Sequence, residues 1–352
     1  MRRIFSLLAP LVFSCYGFCA TPVALFYMTD GTSSVHSFFA HSAKIGLLVP
    51  TWYNVDENGL VTGAPNARVL AQAQRENLPV MPLLALFGKS KFHGLATSEV
   101  AQQHMNDALL REAKLHGYVG FQIDFENIDY ADRELLSATV ARTAGALHKA
   151  GLQLTIATVP NAPGYPGAGS FSKWIFTDWR GAYDLAELAK STDLICLMTY
   201  DQHTHWTTPG PVSGWQWTQE NLDYALQFVP KEKLSLGIPV YGYHWHAAAP
   251  AADKSTGDNH PSIATDTIVS GEAAELAAQF GVKPDWDSAD HAAFFYFYRD
   301  QLREWVFYTD AHTFGDRYQL AAERRLQGFC SWVLGYEDPT IWSILPDRAA
   351  KK

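Results

Sequence analysis

Short apolar runs alternate with helical patterns along most of the chain. Eight apolar runs have the length of buried strands, at residues 23–28, 45–50, 80–86, 120–126, 152–158, 194–200, 234–239 and 328–333. Helical patterns fall between most of them, at residues 67–76, 98–116, 132–150, 182–190, 219–228 and 315–326. This alternation predicts an α/β fold, a parallel (β/α)8 TIM barrel.

An open doubly wound sheet is the rival fold. It would carry a glycine-rich phosphate-binding loop after its first strand. The segment Thr29-Asp30-Gly31-Thr32 stands there instead and lacks that pattern. The barrel is therefore favoured.

One long segment interrupts the alternation after the seventh predicted strand. Its later part, FFYFYRDQLREWVFY, alternates around a turn and predicts a β-hairpin. We interpret residues 246–308 as an insertion between strand 7 and helix 7. Loops at this end of a barrel build active sites, so the insertion is expected to border the site.

The N-terminus has the pattern of a secretory signal. Arg2 and Arg3 precede an apolar run at 4–18, and small residues near position 20 suit cleavage. A lipoprotein site at Cys15 is the weaker alternative. We expect residues 1–20 to be removed, an exported protein, and a single barrel domain over 21–352. No later run is long and apolar enough to span a membrane.

The net charge limits the classes of partner that the chain is expected to bind. The 352 residues carry a net charge of −9, and removing the two arginines of the signal makes it more negative. Non-specific binding to nucleic acid or to anionic lipid needs positive surface, so both are disfavoured. Neutral glycans remain possible partners, and the chain is expected to act as a monomer.

Two cysteines lie outside the signal, Cys196 and Cys330, each in an apolar strand-like run. No dense disulfide framework exists in so long a chain. In the barrel register their strands, the sixth and the eighth, are not neighbours. We therefore expect two buried free thiols.

The fourth predicted strand carries the strongest chemical signal. Gln122, Asp124 and Glu126 share one face, because alternate residues of a strand point the same way. Three polar groups that face a barrel interior destabilise the fold unless they are hydrogen-bonded, so unpaired ones indicate a role in binding or catalysis. Two neighbouring carboxylates and partial burial should keep one of them protonated near neutrality, as a general acid must be. Glu126 lies at the carboxyl end, where barrel active sites form; the alternative is a structural carboxylate paired with Arg or Lys.

Further polar and aromatic residues end the sixth and eighth strands. Met198 and Tyr200 share a face at the same rim as Glu126, and Asp201 begins the next loop. Trp332 could underlie a sugar or simply fill the barrel.

Histidines give no comparable signal for a metal. His203 and His205, like His244 and His246, show His-x-His spacing, but no cysteine or acidic partner is evident in the sequence. A zinc site needs three or four convergent ligands. We therefore expect no metal, and nothing in the sequence predicts a cofactor.

These motifs together resemble glycoside hydrolase family 18, the chitinase family. Its catalytic strand usually reads Asp-Gly-x-Asp-x-Asp-x-Glu; Gly120, Asp124 and Glu126 match, whereas Val119 and Gln122 stand in place of the first two aspartates. The Met-x-Tyr-Asp run at 198–201, the segment LGIPVYG at 236–242, and the tryptophan of the eighth strand also resemble family motifs. The run GFQIDFENI followed by LTIATVP is most similar to the spore-cortex-lytic and chitobiase-like members.

The resemblance implies substrate-assisted retaining hydrolysis, an exception to the usual two-carboxylate scheme. Glu126 would protonate the glycosidic oxygen, and the acetamide oxygen of the substrate would attack the anomeric carbon. Asp124 would hold the acetamide N–H, and Tyr200 would bind its oxygen. Trp332 would stack beneath the sugar, and Asp201 would hydrogen-bond to it.

This chemistry requires a 2-acetamido sugar, so β-linked N-acetylglucosamine glycans, peptidoglycan or chitin-type oligosaccharides, are the expected substrates. A catalytically inactive, lectin-like barrel is the alternative. We expect a neutral amide at Gln122 to donate to Asp124 and favour its charged form. Gln122 is also expected among the sugar-binding residues, together with Tyr27, Asn161, Met198 and Tyr241.

Overall fold

The fold is described from a computed structural model that covers residues 21–252 and 259–348. The predicted signal peptide, residues 1–20, lies outside the described residues. Among the described residues, no helix is long and apolar enough to cross a membrane.

Eight parallel strands in the described part of the chain form a closed ring. In chain order, which gives their names below, the barrel strands are Val23–Met28, Leu47–Pro50, Leu83–Phe87, Gly120–Glu126, Gln153–Thr158, Leu194–Leu197, Leu234–Pro239 and Gly328–Trp332. Each strand pairs in parallel with the next except the second with the third, and the eighth pairs with the first. An isolated parallel bridge between Leu48 and Val80 closes the ring between the second strand and the residues before the third. The third strand also pairs in parallel with a short strand, Tyr53–Val55, which pairs in turn with Val61–Gly63. The predicted TIM barrel is confirmed.

Helices surround the ring and cover its outer face. They are Thr32–His41, Ala67–Arg75, Lys89–Thr97, Glu99–His116, Arg133–Lys149, Leu185–Ser191, Trp215–Ala225, Ala311–Glu323 and Ile341–Ile344. A further short helix, Ser170–Ile175, has no buried residue and lies at the carboxyl ends of the strands. Several begin at side chains that accept hydrogen bonds from free backbone N–H groups, such as Asn66, Ser98 and Asp310. Thr32–His41 and Lys89–Thr97 were not predicted; both have mixed faces with weak apolar periodicity.

The inward faces of the strands pack a second, smaller apolar cluster inside the ring. Its buried members are Leu25, Tyr27, Val49, Leu83, Ala157, Cys196, Cys330 and Val333. Barrel interiors are packed in layers of side chains, and Leu25, Cys196 and Cys330 each precede a cleft-lining residue by two positions on their strands. We call this deeper part of the cluster the lower interior.

The prediction of two free thiols is wrong. Cys196 and Cys330 form a disulfide, with their Cα atoms 6.2 Å apart. Their strands are not neighbours, since the seventh lies between them. However, one interior layer is built from alternate strands, so inward side chains of the sixth and eighth strands meet inside the barrel. The prediction considered pairing along the sheet and ignored contact across its interior.

The insertion after the seventh strand is a second, antiparallel sheet. Its strands are Gly242–Ala252, Asn259–Ile268, Asp285–Asp287, Ala292–Arg299 and Leu302–Tyr308, with a helix at Ser270–Gln279. The sheet begins at Gly242, earlier than the predicted position 246. The predicted hairpin is present, and its turn residues Asp300 and Gln301 both have positive φ, as a two-residue hairpin turn requires.

The insertion also supplies acidic partners for the second His-x-His pair, which sequence spacing did not show. His244 is hydrogen-bonded to Glu304 at 2.8 Å, and His246 to Asp266 at 2.8 Å. Both carboxylates come from neighbouring strands of the sheet.

Candidate active site

A cleft of about 340 Å³ opens at the carboxyl ends of the barrel strands. This is the end of the barrel where the fold forms active sites. The cleft is lined mainly by apolar and aromatic side chains with a few polar groups, as ligand sites are. The lining residues are Tyr27, Asp124, Glu126, Val159, Pro160, Phe171, Ile175, Trp179, Arg180, Met198, Tyr200, Asp201, Gln202, Thr204, His205, Trp206, Thr207, Tyr241, Tyr243 and Trp332.

Two carboxyl groups enter this cleft from the fourth barrel strand. Asp124 and Glu126 are both half-buried inward-facing residues. Asn127 follows with a φ of 54°, and its side-chain amide donates to the Asp178 carbonyl at 3.4 Å. The left-handed backbone conformation of Asn127 ends the strand, so Glu126 is its last residue and lies at the rim.

Both carboxyl groups hold their protons more strongly than usual. Burial raises the pKa of Asp124 to about 7. Burial raises the pKa of Glu126 to about 8, and the negative charges of Asp124 and Asp201 add to the effect. Neither group forms an ion pair with a described lysine or arginine, which argues against a structural carboxylate. Glu126 is thus protonated near neutral pH, and Asp124 is the more easily ionised of the two.

The environment of Gln122 differs from the expectation. Its side chain is fully buried and does not line the cleft, and its amide donates to the Thr155 hydroxyl at 3.1 Å, with no hydrogen bond to Asp124. Oδ1 of Asp124 is buried without a partner among the described residues. The amide therefore does not favour the charged form of Asp124. Burial instead raises the Asp124 pKa and so favours the protonated form.

The segment that follows the sixth strand contributes Tyr200 and Asp201. Tyr200 is half-buried in the cleft lining, and Asp201 has a φ of 58°. The Asp201 carboxylate accepts hydrogen bonds from the phenols of Tyr241, at 2.6 Å, and Tyr243, at 3.0 Å. Loss of hydration raises the pKa of Asp201, and these two bonds oppose that rise. The partners follow the seventh strand, so the insertion helps to fix this side of the cleft.

Aromatic and apolar residues form the base of the cleft. The rings of Trp332 and Tyr27 lie 5.4 Å apart, and Met198 packs with the same cluster. The Tyr27 hydroxyl is buried without a partner among the described residues. Asn161, by contrast, does not line the cleft; its side chain accepts a hydrogen bond from the backbone N–H of Ala162.

A row of aromatic rings extends the cleft along its rim, and sequence reasoning largely missed it. Ring centroids lie 5.6 to 5.9 Å apart along Phe171, Trp174, Trp206, Trp179 and Phe87. Four of these side chains are well exposed, Trp206 at 54%. The segment after the fifth strand, SFSKWIFTDWR, is rich in aromatic residues, and this was the available signal.

Comparisons with known proteins agree with the site. The family model for glycosyl hydrolases family 18 matches residues 23–337. The chain is 25% identical to an uncharacterized glycosylase, YvbX, of Bacillus subtilis, over 91% of this chain and 89% of that protein.

Two solved structures share the fold. A chitinase from Chromobacterium violaceum has a TM-score of 0.79 at 24% identity, over 92% of this chain and 97% of that one. The spore cortex-lytic enzyme SleL of Bacillus megaterium has a TM-score of 0.78 at 21% identity, over 93% and 75%. These findings confirm the resemblance that the fourth, sixth and eighth strands predicted. The chain belongs to glycosyl hydrolases family 18 and is a glycosidase that acts on glycans.

Proposed function

We propose that the protein cleaves β-linked glycans containing N-acetylglucosamine by substrate-assisted retaining catalysis. The observation that carries the proposal is the pair of inward carboxyl groups on one strand. Glu126 is protonated at neutral pH and lies in the cleft, as a general acid requires. Asp124 ionises at lower pH and has an unpaired oxygen.

In this mechanism Glu126 gives its proton to the glycosidic oxygen as the bond to the anomeric carbon breaks. The acetamide oxygen of the same sugar attacks that carbon and forms an oxazolinium ion. Asp124 accepts a hydrogen bond from the acetamide N–H, which satisfies Oδ1 and stabilises the developing positive charge. Glu126, now ionised, takes a proton from water, and that water opens the ring with net retention.

The remaining residues position the sugar. Tyr200 donates to the acetamide oxygen, and Asp201 accepts from a sugar hydroxyl while Tyr241 holds it in place. Trp332 provides a flat surface at the base of the cleft. The exposed aromatic row offers further stacking surface for neighbouring sugars, which supports an oligosaccharide as the substrate.

The test compares wild type with Glu126→Gln and with the control Glu99→Gln, whose side chain is exposed on an outer helix. Chitohexaose, its deacetylated counterpart and purified peptidoglycan are incubated with each, and products are read by mass spectrometry and early NMR of the new anomer. We expect β-anomeric products from acetylated substrates and a loss of about 10²–10⁴-fold in Glu126→Gln alone.

Equal cleavage of deacetylated chitohexaose would contradict substrate assistance. Full activity of Glu126→Gln would contradict the assignment of the acid. Glycan binding without hydrolysis by wild type would favour the lectin-like alternative.

A further inference from the structure

Arg180 is a buried cation in the cleft that the proposed mechanism does not use. It ends the short helical turn Phe176–Arg180, which follows the aromatic helix Ser170–Ile175. Its residue exposure is only 8%. Among the described residues that line the cleft, it is the one lysine or arginine.

The guanidinium lacks the partners that burial demands. Nε and Nη1 are both buried and donate to no described residue. The ring of Tyr165 lies 4.6 Å from the guanidinium carbon and covers a face of the group, and the Tyr165 side chain also hydrogen-bonds to it, but Nε and Nη1 remain without an acceptor. A buried charge is costly unless it is paired and hydrogen-bonded, so these donors lack a counterpart in the protein itself.

The other charged groups in the cleft do not supply that counterpart. Asp201 accepts its hydrogen bonds from two tyrosines. Glu126 holds its proton near neutral pH, and none of the described carboxylates, Asp124 included, forms an ion pair with Arg180. A neutral sugar could accept a hydrogen bond there but would leave the charge unbalanced. A carboxylate on the glycan would satisfy both.

We propose that Arg180 is a binding site for a carboxylate of the substrate, so that the preferred glycan is an anionic 2-acetamido polymer. The lactyl ether of N-acetylmuramic acid ends in such a carboxylate when no peptide is attached to it. Attachment of a peptide converts that carboxylate into a neutral amide. The preferred substrate is therefore the product of an amide hydrolysis, in which water releases the peptide amine and leaves the lactyl carboxylate. This inference rests on the proposed function.

The experiment uses three tetrasaccharides that differ in charge. The first alternates N-acetylglucosamine with N-acetylmuramic acid and has free lactyl carboxylates. The second is the same tetrasaccharide with each carboxylate converted to a neutral methylamide, and the third is chitotetraose. The specificity constant kcat/KM is measured for wild type, Arg180→Met, Arg180→Lys and the control Arg303→Met. Arg303 also stacks on aromatic rings, Tyr296 and Trp305, but belongs to the insertion sheet and does not line the cleft.

We expect wild type to prefer the carboxylate over the methylamide by about tenfold or more, through KM. Arg180→Met should abolish that preference, so that the ratio of kcat/KM for the carboxylate to that for the methylamide falls to about one, and an unchanged circular dichroism spectrum and melting midpoint would show that the variant is folded. Arg180→Lys should keep part of the preference, and Arg303→Met all of it.

A wild type that cleaves all three without preference, or a preference that survives in Arg180→Met, would overturn this inference and leave the proposed function intact. Failure of wild type to cleave any of the three would instead overturn the proposed function and this inference with it.

Discussion

Removal of the disulfide should lower the stability of the barrel substantially. The bond between Cys196 and Cys330 closes a loop with a sequence separation of 134 residues. Chain-entropy arguments give about 5 kcal/mol of stabilisation for a loop of that length. A chain of this size has an unfolding entropy of about 0.7 kcal/mol/K, so the thermal midpoint should fall by about 7 °C. Both cysteines are completely buried, so reductant should act only after unfolding.

The assay compares the wild type with the double variant Cys196→Ala/Cys330→Ala, each unfolded by heat with and without dithiothreitol. We expect reductant to lower the midpoint of the wild type after a cycle of unfolding and refolding. It should have no effect on the double variant, which contains neither thiol and serves as its own control.

A thiol reagent added to the unfolded wild type without reductant provides an independent count of the free cysteine thiols. Reaction of Cys196 and Cys330, identified by mass spectrometry of their peptides, would refute the disulfide and restore the original prediction of free cysteines. A double variant that melts at the wild-type midpoint would refute the loop-entropy reasoning while leaving the bond itself in place.

Three further predictions concern the carboxyl groups, and pH profiles test all of them. Gln122→Asp adds a carboxyl group below Asp124, which should raise the Asp124 pKa and move the acid limb of kcat/KM upward; identical profiles would contradict this. Asp201→Asn removes a negative charge that raises the Glu126 pKa, so the alkaline limb should move downward, and an unmoved limb would exclude the coupling. Glu126→Gln should melt higher than wild type at pH 9 but not at pH 4. The raised pKa makes wild type lose stability as pH rises from about 4.5 through about 8, and parallel melting curves would show no such linkage.

Much of the barrel could be predicted because its strands follow a local pattern. Buried parallel strands are continuous apolar runs, and the fourth, seventh and eighth begin where the sequence predicts. The third was placed at 80–86, whereas the paired strand is Leu83–Phe87. Val80 forms only the bridge that closes the ring, and an apolar run does not distinguish a bridge residue from a strand residue.

The candidate acid could be predicted for the same reason. The positions of Asp124 and Glu126 follow from period-two alternation within one strand, which needs no knowledge of distant contacts. Features that depend on contacts between distant segments could not be found. The tyrosines that hold Asp201 are 40 and 42 positions away. Arg180 was missed because an arginine in a loop looks like a solvated charge until its burial is known.

Contacts between inward-facing side chains deep in the barrel explain how the fold tolerates the burial of two carboxyl groups with raised pKa values. Lower in the barrel, the disulfide between Cys196 and Cys330 links the sixth strand to the eighth, and Gln122 bonds to the fifth. These contacts lie below the residues that reach the cleft, so they can fix the strand ends without occupying the site. A site that depends on oriented groups needs such a rigid support. Burial of Asp124 and Glu126 destabilises their ionised forms, and cross-links in the lower interior offset that cost without neutralising either carboxyl group. An arginine or lysine beside Glu126 would stabilise the fold more directly, but it would lower the pKa of that group and remove the proton on which the proposed reaction depends.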